Sequence, residues 1–208
     1  MDKEKAGKTV ALLRAHYGEA VCELNYSTPF QLLVAVILSA QCTDKRVNLV
    51  TKELFKVYNT PEQFAALTKE ELSGYISTCG LFNGKAVSII SAAKDICVKF
   101  GGRVPDNITD LLTLRGVGRK TANVILCEAY KIPAIPVDTH VLRLANRIGL
   151  SNGSTPEAVE KDVAALLDPS LYIESHHLLI KHGRNICKAV RPDCDNCPLC
   201  KVCEYFDM

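Results

Sequence analysis

An all-α fold follows from three features of this 208-residue chain. Threonine recurs as a helix-opening signal, followed at once by proline or, three residues on, by glutamine or glutamate. Apolar residues then return at three- and four-residue spacing, the period of one helix face. No stretch alternates apolar and polar residues convincingly enough for a strand.

Taken in order, Val10 to Tyr17 predicts a short helix with Leu12 and Leu13 as its apolar positions. Thr28-Pro29-Phe30-Gln31 reads as a capping box and opens Phe30 to Ala40, apolar nearly all round and therefore central and buried. Gln41 and Asp44 fall where that helix ends in a loop, with Asp44 a candidate cap for the next. Asp44 to Tyr58 is amphipathic, with Val47, Val50, Leu54 and Phe55 on one side. Thr60-Pro61-Glu62-Gln63 and Thr68-Lys69-Glu70-Glu71 are further capping boxes. The helix after Thr68 is expected to end at Cys79-Gly80, with Gly80 as its C-cap. Ala86, Ile89, Ile90, Ala93, Ile96, Cys97 and Phe100 keep helical spacing until Gly101-Gly102. Asn107 caps a short helix to Leu112, and Thr121 to Tyr130 is made mostly of good helix formers. Asp138 to Ile148 is helical and closed by Gly149, Thr155-Pro156 opens another helix, and Leu171 to Ile186 holds the last. Ile132-Pro133-Ala134-Ile135-Pro136 interrupts the pattern and marks a domain boundary.

Composition narrows the class. With 48% hydrophobic and 23% charged residues the chain is globular and can bury a sizeable core, and a net charge of +2 means that any basic face must be local. The N-terminus carries no signal-peptide pattern, and the longest apolar run, Leu32 to Ala40, is far short of the roughly 18 residues of a membrane span. The expected compartment is the reducing cytoplasm, where clustered cysteines bind metal more often than they form disulfides.

The stretch Leu114-Arg115-Gly116-Val117-Gly118-Arg119-Lys120-Thr121-Ala122 joins two of the predicted helices through Gly-Val-Gly. Glycines there permit positive φ and close backbone approach. The amides that open the second helix lack partners within it and carry the positive end of its dipole, which suits a phosphate oxygen. Arg115 and Arg119 add charge on either side.

Ten cysteines are present, and Cys187, Cys194, Cys197, Cys200 and Cys203 cluster near the C-terminus among prolines that favour a loop. Their spacing signals a metal site without selecting it. Any four of the five thiols are possible ligands, and tetrahedral zinc and a [4Fe–4S] cluster both accept four thiolates.

These motifs resemble the endonuclease III family of helix-hairpin-helix DNA glycosylases and AP lyases. The likeness covers nearly the whole chain: Leu38 to Gln41, Gly80-Leu81-Phe82-Asn83 with Lys85-Ala86, the hairpin, Val137-Asp138-Thr139-His140, His182-Gly183-Arg184, and the spacing Cys187-x6-Cys194-x2-Cys197-x5-Cys203. The resemblance implies a six-helix barrel domain over 22–132 that contains the hairpin at about 107–130. It also implies a [4Fe–4S] cluster domain from 1–21 and 133–208, with duplex DNA in the groove between the two. Cys187, Cys194, Cys197 and Cys203 are the implied ligands, and Cys200 departs from the family pattern as an extra thiol.

The implied activity is excision of oxidised pyrimidines, of the thymine glycol kind, from duplex DNA by a monomeric, nucleoid-associated enzyme. Lys120 stands where the lyase members carry their nucleophile: a neutral amine attacks the sugar C1′, and the resulting Schiff base permits β-elimination. A monofunctional mismatch glycosylase is disfavoured by Lys120, and a non-catalytic DNA-binding or redox-sensing protein by the Lys120 and Asp138 pair. Asp138 has two readings, helix N-cap and the family's essential carboxylate. Gln41 and Leu81 would fill the gap left by a flipped nucleotide, although Leu81 also reads as a core leucine. Gly116, Val117 and Gly118, with Arg115 and Arg119, would meet one phosphate, and His140 and Arg184 others. Lys188 and Arg191 would be presented to the backbone by the cysteine loop.

Overall fold

The computed structural model describes residues 2–206. Among them every regular element is helical: α1 (Lys3–Tyr17), α2 (Pro29–Ser39), α3 (Asp44–Val57), α4 (Pro61–Ala66), α5 (Lys69–Ile76), α6 (Phe82–Phe100), α7 (Ile108–Leu111), α8 (Arg119–Ala129), α9 (Thr139–Ile148), α10 (Pro156–Leu166), a 3₁₀ turn (Pro169–Leu171) and α11 (Tyr172–Asn185). The chain divides into two compact units, Glu23–Ile132 and the pair of segments Met1–Cys22 and Pro133–Met208. None of the described helices is long and apolar enough to cross a membrane.

In the Glu23–Ile132 unit, α2 is central. Every residue from Phe30 to Leu38 is buried, and α2 packs against α3, α6 and α8. Thr28 caps it by accepting from the Gln31 amide at 3.2 Å, while Gln31 Oε1 accepts from Ser27 N at 2.8 Å. The reciprocal bond of a capping box therefore lands one residue before the cap. Thr60 with Gln63 and Thr68 with Glu71 form complete capping boxes. Both short helices they open lie against α6, and Phe64 wedges edge-on between Phe30 and Tyr58.

Three local expectations give way. Thr43, not Asp44, caps α3, because it is Thr43 that holds the extended backbone and accepts from Arg46 N at 3.3 Å. The α5 helix stops at Ile76 with Ser77 as its cap, well before Gly80. Gly80 serves close approach instead: a Cβ there would stand 3.3 Å from the Gln41 carbonyl oxygen. The first helix starts earlier than its apolar pattern suggests, at Lys3, because Asp2 caps it by accepting from Lys5 N at 2.8 Å.

The second unit buries Val10 and Leu13 of α1, Val141, Leu144 and Ile148 of α9, Val159 and Val163 of α10, and Leu178 and Leu179 of α11 in one core. Leu199 and Val202 from the cysteine segment enter the same core. An irregular segment is thereby anchored at two points. Burying two such side chains contributes roughly 1.5–3 kcal/mol each. The long-range pairs Arg14 with Glu174 and Lys181 Nζ with Tyr17 O (3.0 Å) tie α1 to α11.

Candidate active site and cysteine centre

The hairpin begins with one turn of helix. Asn107 caps α7 by accepting from Asp110 N at 3.0 Å, and Thr113 Oγ1 donates to Asp110 O at 2.7 Å. Leu114 and Val117 point inward and are buried, and Val117 N donates to Leu114 O at 3.1 Å to close the turn. These two side chains hold the loop, and its outer residues, Arg115, Gly116, Gly118 and Arg119, stay exposed. Gly116 takes φ +84°, and a Cβ there would meet Ser88 Cβ of α6 at 2.8 Å. Glycine is required on both counts.

Gly118 is the N-cap of α8, and no side chain caps the helix. Most other helices here are opened by a Thr, Asn or Asp that accepts from their first-turn amides. At α8 no side chain takes that place, and the helix dipole there favours an anion. Lys120 follows as the second residue of α8, half-buried.

Gln41 and Leu81 lie on turns of the same unit that touch through Gly80 and the Gln41 carbonyl. Both are non-glycine residues in the left-handed region, at φ +52° and +59°. Gln41 is exposed, and Leu81 is 64% exposed. Leu81 is thus not a core leucine. It stands as the N-cap of α6, a large apolar side chain turned to solvent.

Asp138 caps α9 in the other unit. Its Oδ1 accepts from His140 N at 2.8 Å and Val141 N at 2.9 Å. Both bonds fall on one oxygen, so capping leaves Oδ2 for other work. His140 is packed against α11, where Gly183 makes room: a Cβ at Gly183 would stand 2.8 Å from His140 Nδ1. Arg184, the next residue, is exposed. His140 and Arg184 are therefore brought to neighbouring positions on α9 and α11.

Cys187, Cys194, Cys197, Cys200 and Cys203 line one small recess with Ile148, His182 and Leu199, its walls almost entirely apolar. Burial pushes the Cys197 thiol up to about 11 and raises that of Cys203, with Cys187 and Cys194 adding to both. Thiolates at these positions therefore need a compensating cation. Among the described residues no three Cys, His, Asp or Glu side chains form a site for a single metal ion.

Donors reach three of the four thiols. Arg147 Nη1 stands 3.4 Å from Cys187 Sγ, Leu199 N donates to Cys197 Sγ at 3.4 Å, and the amides of Tyr205 and Phe206 bond Cys203. His182 Nε2 lies 3.5 Å from Cys197 Sγ, its other nitrogen held 2.9 Å from Tyr17 Oη of α1. Such outer bonds orient and stabilise thiolate ligands.

Two residues that hold this centre have no counterpart in the sequence reading. Arg143 Nη2 donates to Gly183 O at 3.1 Å and Cys187 O at 3.0 Å, and Arg147 donates to Lys188 O at 2.7 Å and Ala189 O at 3.0 Å. Their i, i+4 spacing on α9 puts two guanidinium groups on one face, a signal present in the sequence but without a visible target there.

Comparison with known proteins accords with this geometry. The profile of the HhH-GPD superfamily base excision DNA repair protein matches residues 34–169. Endonuclease III of Rickettsia conorii is 51% identical over 184 residues, 88% of each chain. A solved non-covalent endonuclease III–DNA complex superposes with a TM-score of 0.93 at 39% identity, covering 100% of this chain and 97% of that one. A trapped endonuclease III–DNA covalent intermediate, an estranged-adenine complex, matches with the same score and identity over 100% and 98%. A helix-hairpin-helix scaffold, likeness over nearly the full length and a cysteine-lined recess converge on one assignment: the chain belongs to the endonuclease III family of DNA glycosylases and AP lyases, within the HhH-GPD superfamily of base excision DNA repair proteins.

Proposed function

We propose that this protein removes oxidised pyrimidines of the thymine glycol kind from duplex DNA and cleaves the strand 3′ to the resulting abasic site. The observation that carries the proposal is Lys120, half-buried two residues beyond the glycine that starts α8 and flanked by Arg115 and Arg119. A phosphate held by the amides of α8 and the two arginines would fix the sugar of a neighbouring nucleotide relative to the amine. The likeness to a protein trapped as a covalent complex with DNA supports an attack of this type.

The amine bonds to the sugar C1′ as the glycosidic bond breaks, and the departing base leaves with the electron pair and takes up a proton. The Schiff base makes the C2′ proton acidic, and its loss expels the 3′ phosphate. Asp138 would move these protons through Oδ2 while Oδ1 holds α9, so one carboxylate serves as cap and as base. Gln41 and Leu81, exposed on adjoining turns, would occupy the gap left when the damaged nucleotide swings out. His140 and Arg184 would meet further phosphates. The proposed setting is the bacterial cytoplasm, on nucleoid DNA, with the protein a monomer.

Cys187, Cys194, Cys197 and Cys203 fit a [4Fe–4S] cluster: they share an apolar recess, three of them meet the amide and guanidinium donors described above, and as thiolates they need a cation. The cluster would supply a rigid covalent tether across the loop, and base excision needs no electrons from it. Lys188 and Arg191, both exposed, would then face the DNA backbone.

The test is borohydride trapping on an oligonucleotide with one thymine glycol. Wild type should be trapped, and Lys120→Gln should not be, with its fold and DNA affinity kept. Asp138→Asn should lose about 10²–10⁴-fold in turnover with little change in melting temperature, since asparagine caps about as well. Robust trapping of Lys120→Gln at another residue would overturn the mechanism.

A further inference from the structure

The two turns that carry Gln41 and Leu81 also carry a pair of cysteines that the proposed chemistry does not use. Cys42 follows Gln41 in the turn between α2 and α3, and Cys79 precedes Gly80-Leu81 in the turn between α5 and α6. The two backbones are in contact, since a Cβ on Gly80 would stand 3.3 Å from the Gln41 oxygen. Beside that contact the Cys42 side chain is near enough to Cys79 to help raise its thiol.

The two thiols differ in access. Cys79 is fully buried, whereas Cys42 is half-buried and open to a small molecule. Two cations attend them. Lys85 is itself buried, with Nζ anchored on Leu38 O at 2.8 Å, and Arg46 stands in the first turn of α3. Both favour the thiolate of Cys79, against the larger opposing effect of its burial.

We propose that Cys42 and Cys79 are a reversible dithiol–disulfide pair, oxidised by a small disulfide of the glutathione class, whose closure ties the two turns together and switches off engagement of DNA. The Cys42 sulfur attacks one sulfur of the small disulfide and releases one thiol, giving a mixed disulfide. The Cys79 sulfur then attacks the Cys42 sulfur and expels the second small thiol, which takes up the Cys79 proton. Two protein thiols are oxidised and one small disulfide is reduced to two thiols.

A covalent S–S bond of about 2.05 Å is far shorter than any contact between two unbonded thiols. Closure therefore draws the turns together and locks the adjoining left-handed residues in place. The effect on DNA rests on the reading of Gln41 and Leu81 given above, in which the two turns must adapt to a duplex with one nucleotide swung out. Burial keeps Cys79 a thiol, its pKa pushed up to about 11, so the first attack falls to the more accessible Cys42.

The experiment equilibrates the iron-loaded protein, without oxygen, in oxidised glutathione and follows three readouts: non-reducing peptide mass spectrometry, binding to a thymine glycol duplex, and visible absorbance of the iron centre. The expected result is a Cys42–Cys79 linked peptide two hydrogens lighter than its parts. Binding should weaken at least tenfold, recover in dithiothreitol, and do so with unchanged absorbance. Cys42→Ser and Cys79→Ala should each bind DNA normally when reduced and keep that affinity in oxidised glutathione. Stable glutathione on Cys42 without the linked peptide, pairing with another cysteine, or full linkage with unchanged binding would each overturn the proposal. Failure of the reduced protein to release thymine glycol would count against the proposed function alone, because the linked peptide is scored without it.

Discussion

The hairpin between α7 and α8 and the cysteine loop after α11 are both irregular segments, and they are held in opposite ways. The hairpin is built from backbone: two buried side chains, Leu114 and Val117, anchor it, Gly116 takes a conformation closed to other residues, and Gly118 starts α8 without a side chain. The cysteine loop is built from side chains. Arg143, Arg147 and His182 reach its carbonyls and sulfurs, Leu199 and Val202 pin it to a core, and its cysteines line one apolar recess. A segment that must present amides to a ligand keeps its side chains out of the way. A segment that only needs a shape can borrow it from whatever is bound inside.

The largest effect should come from breaking the borrowed shape. Replacing Cys187, Cys194, Cys197 or Cys203 by alanine should release all the iron, and iron analysis of the purified variant checks it. Loss of a metal centre is among the few changes worth roughly 4–5 kcal/mol. Melting should therefore fall by about 10 °C or more, at ~2–4 °C per kcal/mol for a chain of this size. Cys200→Ser should keep both iron and melting temperature.

Next comes the hairpin backbone. Gly116→Ala meets about 1–2 kcal/mol of left-handed strain and the Ser88 contact besides. Calorimetry should show that loss while the iron content stays at wild type, and affinity for undamaged duplex should fall by about tenfold, one order per 1.4 kcal/mol lost at the interface.

Arg147→Ala sharpens the contrast from the other side. It removes the donors to Lys188 O, Ala189 O and Cys187 Sγ. A loss of about 1.5–3 kcal/mol is expected for bonds to a charged group, at the low end because the site is partly exposed. Iron should still be present and should leave faster in a chelator, whereas the same substitution made at Arg115 should leave iron release unchanged. The smallest effect belongs to Arg119→Ala. The log–log slope of DNA affinity against salt should shrink by roughly one if that side chain neutralises one phosphate, with no change in melting.

How much of this was readable without coordinates differed between the two segments for the same reason. The capping boxes at Thr60 and Thr68, the central burial of α2 and the glycine stop of α6 are local or periodic, and the chain spells them out. Gly116 was legible as a residue that frees the backbone, but its contact with Ser88 was not. Thr43 rather than Asp44 caps α3 because adjacent polar residues both qualify and only backbone conformation chooses. Leu81 was ambiguous because exposure of a leucine is a tertiary property, and Gly80 was misread because close approach to Gln41 looks, in one dimension, like a helix stop. Arg143, Arg147 and the Cys42–Cys79 pair stayed hidden because their partners are distant in sequence.

The contact between Gly116 and Ser88 has a consequence for which changes of length the chain can accept. Leu81 begins α6 and Ser88 lies seven positions on, so the helix spaces them by about 10 Å at 1.5 Å per residue. That is about three nucleotide steps of ~3.4 Å along one strand. If the Leu81 turn enters the duplex and the hairpin grips its phosphates, as proposed above, the helix is the ruler between them. Inserting or deleting one residue between Leu81 and Ser88 would swing one end by about 100° relative to the other. Substitutions on the exposed side of that span leave the ruler intact, so related sequences should vary there in composition while holding its length constant.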